Sequence, residues 1–235
     1  MILAHLPFGA AMIIILSVGG SMVNPGKPDQ AYISSLSQIF KNSPHSFGIV
    51  VGGGKLAREY AEGERKKGKG EFWADLAAIR ATKENAGLFL SHLRGICCLN
   101  ICDDFIQAHD ALQKHRIVLM GGTIPGITTD ADAALLAECI GAKRLVNVSN
   151  VDGIYDKNPA AHKDAKKFGT LSFEKLVSLA QVQDTRHAGG HFIFDMLACK
   201  LIARSKIESH FVSGKNLEDV KNAIEGTRHN GTVVR

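Results

Sequence analysis

The stretch Phe47-Gly48-Ile49-Val50-Val51-Gly52-Gly53-Gly54-Lys55-Leu56-Ala57-Arg58 decides how the chain folds. Its apolar half lacks the in-out alternation of a half-solvated strand, so both faces of that strand must be covered, as in a parallel sheet. Three glycines end the strand, and a helix-like segment follows over 55–62. The same unit recurs on either side. Ile13-Ile14-Ile15-Leu16-Ser17-Val18 runs into Gly19-Gly20-Ser21 ahead of a helix-like 29–40, and Ile117-Val118-Leu119-Met120 runs into Gly121-Gly122-Thr123 ahead of 131–140. A further apolar run, 145–148, follows. Strands alternating with helices define an α/β protein with a mainly parallel sheet and helices on both of its sides.

Composition excludes other classes. A hydrophobic fraction of 45% in 235 residues supplies a full core, and 24 glycines with 6 prolines show no collagen-like or low-complexity bias. Lys plus Arg, 28, exceeds Asp plus Glu, 23, by five, which leaves room for a small anionic partner but does not make a nucleic-acid face. Five cysteines without paired CxxC spacing form neither a disulfide framework nor a zinc ribbon, so a reducing cytoplasm is expected. Residues 1–18 carry no Lys or Arg and run straight into Gly19-Gly20-Ser21. They read as a buried strand from Met12 behind a frayed extension, 1–11, rather than as a signal peptide or membrane span. Met12 is then a candidate start. No linker divides 12–235, although a soft boundary near Met120 separates two halves. The basic stretch 64–70 is expected to be a mobile solvated loop, and 72–93 a long helix ending near Gly95.

Three glycine turns at the carboxyl ends of strands in one sheet would converge on one crevice, where backbone amides and helix N-termini attract phosphate. Two other phosphate motifs fail here. The run from Gly52 to Ala57 fits a dinucleotide fingerprint, but Arg65-Lys66-Lys67-Gly68 stands where a second strand ending in an acidic residue should follow. Leu56 occupies the place of a Walker Ser or Thr, so Gly54-Lys55 is not a P-loop. Thr128 or Thr129 is placed to cap the helix that Asp130 opens. The loop from Asn150 to Pro159 can sandwich an adenine or be a simple polar turn.

Taken together, Val18-Gly19-Gly20-Ser21, Val51 to Arg58, Gly121-Gly122-Thr123-Ile124-Pro125-Gly126-Ile127-Thr128-Thr129-Asp130-Ala131, Ser149 to Tyr155 and Lys200 to Ser205 resemble the archaeal-type uridylate (UMP) kinases of the amino acid kinase superfamily. The resemblance covers nearly everything from Met12 to Thr232. It implies a three-layer αβα sandwich around a mainly parallel sheet, with the acceptor in the half 12–120 and ATP in the half 121–235. It implies phosphoryl transfer from ATP, with Mg2+, to UMP in pyrimidine nucleotide biosynthesis, by a cytoplasmic homohexamer. Matching positions put Gly20, Ser21, Gly54, Arg58, Ser149, Asn150, Tyr155 and Asn158 on ATP. They put Gly53, Asp75 and the turn Thr123, Ile124, Pro125, Gly126, Ile127, Thr128, Thr129 on UMP, with Arg58 and Asp130 catalytic. The chain departs from the family pattern where Ser17 stands in place of a lysine, Ile124 and Ile127 in place of histidines, Asn158 in place of aspartate, and Lys83-Glu84 within what is often Thr-Arg-Ala-Asn.

Such chemistry needs no histidine or serine nucleophile. A phosphate monoester has its second pKa at about 6, so the attacking oxygen is already ionised near neutrality. Catalysis becomes positioning and charge neutralisation. Two alternatives keep the fold: a kinase for another small phosphate, such as isopentenyl phosphate, and a non-catalytic storage relative like the molybdenum storage proteins.

Overall fold

The computed structural model describes residues 11–184 and 195–235, so most of the expected extension 1–11 lies outside the described residues. The first strand, β1 (Ile13–Val18), leads through a single helical turn, α1 (Gly20–Val23), to α2 (Gln30–Asn42) and β2 (Ser46–Val51). A helical hairpin, α3 (Gly54–Lys66) and α4 (Glu71–Gly87), follows, then α5 (Phe105–Leu112), β3 (Ile117–Met120), α6 (Thr129–Ile140) and β4 (Arg144–Ser149). The chain closes with β5 (Thr170–Leu171), α7 (Phe173–Asp184), α8 (Met196–Ser205), β6 (Glu208–Ser213), α9 (Leu217–Glu225) and β7 (Thr232–Val234).

Among the described residues seven strands form one sheet in the order β3-β2-β1-β4-β6-β7-β5. All neighbours are parallel except β6 and β7. The continuous apolar runs bury both faces, as their lack of alternation required. Ile14, Leu16, Val18, Phe47, Ile49 and Val51 pack on one side with Ile33, Leu36 and Phe40 of α2 and Val220 and Ile224 of α9. Ile15, Val50, Val118 and Leu145 pack on the other with the small residues of α6 and with Leu201 and Ile202 of α8. This is the expected three-layer sandwich. Among the described residues no helix is long and apolar enough to cross a membrane.

Local chemistry explains where the helices start. Asp29, Asp104, Thr128, Asp195 and Asn216 cap α2, α5, α6, α8 and α9 by accepting first-turn amides. Helix α2 then turns Ile33, Leu36, Ser37 and Phe40 inward at helical spacing.

Two expectations are corrected. The long helix over 72–93 stops at Gly87. From there the chain makes three-residue turns, with the amides of Phe89, Leu90 and His92 donating to the carbonyls of Ala86, Gly87 and Phe89. Tight turns preserve the three-to-four spacing of apolar side chains, so Phe89 and Leu93 still reach the core and periodicity alone cannot see the break. The stretch 64–70 is not a solvated loop throughout, because α3 continues to Lys66. Glu64 is buried and holds Lys67 at 2.8 Å and Lys69 at 2.6 Å, tying the turn onto the helix.

Phe40 has no exposed surface, and its ring lies 5.1 Å from that of Phe47, joining α2 to the sheet. Phe40→Ala is expected to cost about 3–4 kcal/mol through lost burial and the cavity left behind. Urea denaturation checks this, and a loss below about 1 kcal/mol would mean that α2 is not anchored there.

Candidate active site

The sheet order makes the crevice. Connections from β1 run towards β2 and β3, whereas β4 returns to the opposite side of β1, so the loops at their carboxyl ends diverge between β1 and β4. The turns are tied to neighbouring strand ends: the Gly19 amide donates to the Val148 carbonyl at 2.8 Å and the Gly52 amide to the Val18 carbonyl at 2.8 Å. Contact between turns is closer still. A Cβ at Gly20 would stand 2.3 Å from the Gly52 carbonyl oxygen and 2.4 Å from the Gly54 nitrogen, so only glycine permits this approach. Gly54 has a φ of +58°, which glycine adopts without steric cost.

Two cavities open at this meeting point. One, of about 300 Å³, is lined by Ser17, Gly20, Gly52 to Gly54, Thr129, Asp130 and Asn147, and continues past Ser149, Asn150 and Ile154 to Phe211. The second, of about 220 Å³, lies between α4 and the 122–129 turn and is lined by Asp75, Ile79, Thr82, Ile124, Ile127 and Thr128. Gly53 and Thr129 line both. The structure therefore brings together the glycine turns after β1 and β2 with Asp130, Ser149 and Asn150 in one compartment, whereas the third glycine turn, through Gly122, lines the neighbouring one with Asp75 and residues of the 123–129 turn, so the three turns do not share a single crevice.

Other predicted residues stand elsewhere. Arg58 is exposed on α3 and lines an outer groove with Lys55, Glu62 and Arg65, not either of these cavities. The Tyr155 hydroxyl donates to Asp152 at 2.7 Å, and the Asn158 side chain accepts the Ala160 amide at 2.9 Å, so both are engaged within their own loop. Ser21 is exposed in α1.

Asp130 sits at the start of α6 with Ser17 and Asn147 donating to the same oxygen, Oδ1, at 2.6 and 3.2 Å. Burial pushes its carboxyl up to about 6, the Ser17 bond opposes the shift, and Asp195 adds to it. Asp75 accepts the Gly126 amide at 2.9 Å, which joins α4 to the 123–129 turn. Thr128 caps α6, as one of the two expected threonines, and its hydroxyl donates to Asp195.

Sequence reasoning missed the polar residues behind the turns. On α4, Asn85 is fully buried; its amide group donates to the Gly52 carbonyl at 2.9 Å and the Gly53 carbonyl at 3.1 Å, while Asn24 donates to its oxygen at 3.1 Å. Thr82 accepts the Gly122 amide at 2.7 Å. The signal was their spacing of three on a helix otherwise buried through alanines, which puts both on one face. Asn147 is the polar exception in a buried strand, and it reaches Asp130.

Helices on both faces of a mostly parallel sheet, with amide-rich turns meeting over two adjoining anion-sized cavities, define a small-molecule kinase fold. The chain belongs to the amino acid kinase family, whose model matches residues 12–213. Within it, the chain is 41% identical over 227 residues to the uridylate kinase of Methanocaldococcus jannaschii, spanning 95% of this chain and 99% of that protein. It is 40% identical to that of Pyrococcus abyssi over 225 residues, with the same shares covered. The crystal structure of uridylate kinase from Archaeoglobus fulgidus matches with a TM-score of 0.83 at 37% identity, covering 94% of this chain and 99% of that one.

Asn85→Ala strands the buried Gly52 carbonyl and the Asn24 amide, and leaves the Gly53 carbonyl with the Ala57 amide alone. A stability loss of about 2–3 kcal/mol is expected in urea, together with weaker binding of both nucleotides, because the Gly52–Gly53 turn borders both cavities. Binding unchanged alongside full stability loss would show that Asn85 supports the fold but not the site.

Proposed function

We propose that this chain transfers the terminal phosphoryl group of ATP to UMP, giving ADP and UDP. The observation that carries the reading is the pair of cavities meeting at Gly53 and Thr129, in a chain that is 37–41% identical to uridylate kinases over most of its length. ATP takes the larger cavity, with its phosphates at Gly20, Ser21 and Gly54 and its nucleoside towards Ser149 and Asn150; Tyr155 and Asn158 frame the far end. UMP takes the smaller one. Its phosphate lies at Gly53, Asp75 accepts from its ribose hydroxyls, and Thr123, Ile124, Pro125, Gly126, Ile127, Thr128 and Thr129 wrap its base.

Nucleotides in these two cavities would bring donor and acceptor phosphates together at the shared wall, the arrangement that in-line transfer needs. The dianionic oxygen of UMP attacks without a base. Asp130, held by Ser17 and Asn147, organises the groups around the transferring phosphoryl, and backbone amides of the turns stabilise charge as it develops. Mg2+ supplies charge neutralisation when bound. An ion carried chiefly on nucleotide oxygens needs few protein ligands. Arg58, one turn into α3, is the cation assigned to the bridge between the phosphates. Its exposed position means that it must turn inward from the outer groove when both nucleotides are present.

The compartment proposed is a reducing cytoplasm, from the five cysteines without paired spacing. Self-association, as a homohexamer by the resemblance, would cover Phe72 and Trp73, which are 60% and 52% exposed.

Assay of phosphoryl transfer from ATP tests the reading. UMP is expected to exceed CMP by at least about tenfold in kcat/KM, because rings of equal size are separated only by fixed donors and acceptors, here the backbone of the 123–129 turn. Isopentenyl phosphate should not be turned over. Equal use of UMP and CMP would remove the uridylate specificity and leave the phosphate chemistry standing.

Arg58→Ala is expected to lower kcat by about tenfold or more while KM for ATP changes little, since a bridging guanidinium acts when charge builds between donor and acceptor. An unchanged kcat would return Arg58 to the solvated face of α3.

A further inference from the structure

The turn beside the smaller cavity is held by a buried carboxylate to which phosphoryl transfer assigns no task. Asp132, in the first turn of α6, has no exposed surface. Its Oδ1 accepts the Thr123 hydroxyl at 2.6 Å and its Oδ2 the Thr123 amide at 3.3 Å. The same turn is fixed in its middle by the bond from Gly126 to Asp75 and at its end by that from Thr128 to Asp195. Three carboxylates from three elements thus grip one short segment. Asp132 is the one sealed from solvent, and among the described residues it forms no salt bridge. The charged groups facing it are Lys83 on α4, itself 2.5 Å from Asp103, and Asp195 at the start of α8; Asp130 lies two residues before it on its own helix.

We propose that ionised Asp132 is a positioning residue for the acceptor, setting the 123–129 turn through Thr123 so that its backbone matches the bound pyrimidine nucleotide. The inference rests on the assignment of that turn to UMP. The physical basis is the difference between a carboxylate and its neutral form. Hydrogen bonds to an ionised acceptor are roughly twice as strong as neutral ones, so the two bonds from Thr123 fix the turn firmly while Asp132 carries charge. Burial pushes the Asp132 carboxyl up to about 6, opposed by the Thr123 bonds and by Lys83, with Asp195 adding to the rise. The group is therefore ionised above that pH and neutral below it. The grip is present at pH 8 and weakens as pH falls through about 6.

Asp132→Asn keeps the shape and mimics the neutral acid, which makes it the informative variant. UMP itself takes up a proton near pH 6, but this affects both proteins alike and cancels in a ratio. Steady-state kinetics of the full-length enzyme from pH 5 to pH 8 are expected to show KM for UMP about fivefold or more higher in Asp132→Asn at pH 8, with KM for ATP and kcat within about twofold. The ratio of variant to unmodified KM should approach one at pH 5. Thr123→Val should raise KM for UMP in the same way, with its ratio to the unmodified enzyme again falling towards one at pH 5, which keeps the test open if the Asp132 variant does not fold. A ratio that stays flat across pH, or an equal loss in both substrates, overturns the inference and leaves Asp132 as a structural residue with the acceptor assignment intact. A pH-dependent rise confined to KM for ATP overturns the assignment of the turn itself.

Discussion

Backbone-to-backbone contact between the turn after β1 and the turn after β2 is the constraint on which the site depends. Gly20 touches Gly52 and Gly54 with no room for a Cβ on either partner, and the two cavities exist only because these turns meet. Such contact would leave peptide groups buried without water, a cost of roughly 1–3 kcal/mol for each one unpaired. The surrounding structure meets that demand from outside the turns. Asn85 supplies donors to Gly52 and Gly53, and Thr82 supplies an acceptor to Gly122. Helix α4, whose buried face is otherwise mostly alanine, can lie close enough to do so because alanine keeps its axis near the turns.

Strands, layers and glycine turns were legible because each has a local cause. Ile13–Val18 and Ser46–Val51 announce burial on both faces by their unbroken apolar runs, and the glycines after them announce a corner. Thr128 announces a cap by position. What escaped was long-range. Asn85 and Thr82 look like ordinary helical polar residues until the fold sets them under turns 30 to 40 positions away in sequence. The break at Gly87 escaped because tight turns preserve helical spacing. The match between β6 and β7, antiparallel in an otherwise parallel sheet, depends on a return of the chain that no local pattern encodes.

Charge in the crevice is sparse, and what there is lies on carboxylates. Ser17 presents a hydroxyl where a lysine would bring a cation, and that hydroxyl is spent on Asp130. Asn147 donates to the same oxygen. Asp130 is therefore stabilised by dipoles, with no cation bonded to it among the described residues, and burial outweighs its hydrogen bonds so that its carboxyl rises to about 6. A site of this kind relies on amides and on charge brought by ligands or mobile side chains, and the cations nearest in sequence to the Gly54 corner, Lys55 and Arg58, both lie on the outer groove of α3.

The two compartments divide that labour physically. The larger is bounded by glycine backbone and strand ends, rigid parts of the sheet with few side chains to rearrange. The smaller is bounded on one side by the 123–129 turn, which carries no regular structure before Thr129 opens α6 and is fixed by side-chain carboxylates from α4, α6 and the start of α8. A phosphate chain needs many amides in fixed positions and little discrimination, so rigid backbone serves it. A base must be told from its near-isosteres by a few hydrogen bonds at the right angle, and a turn clamped at several points can be set by small changes at any one of them. On the proposed assignment, selectivity resides where the structure is held by side chains, and phosphate binding where it is held by the sheet.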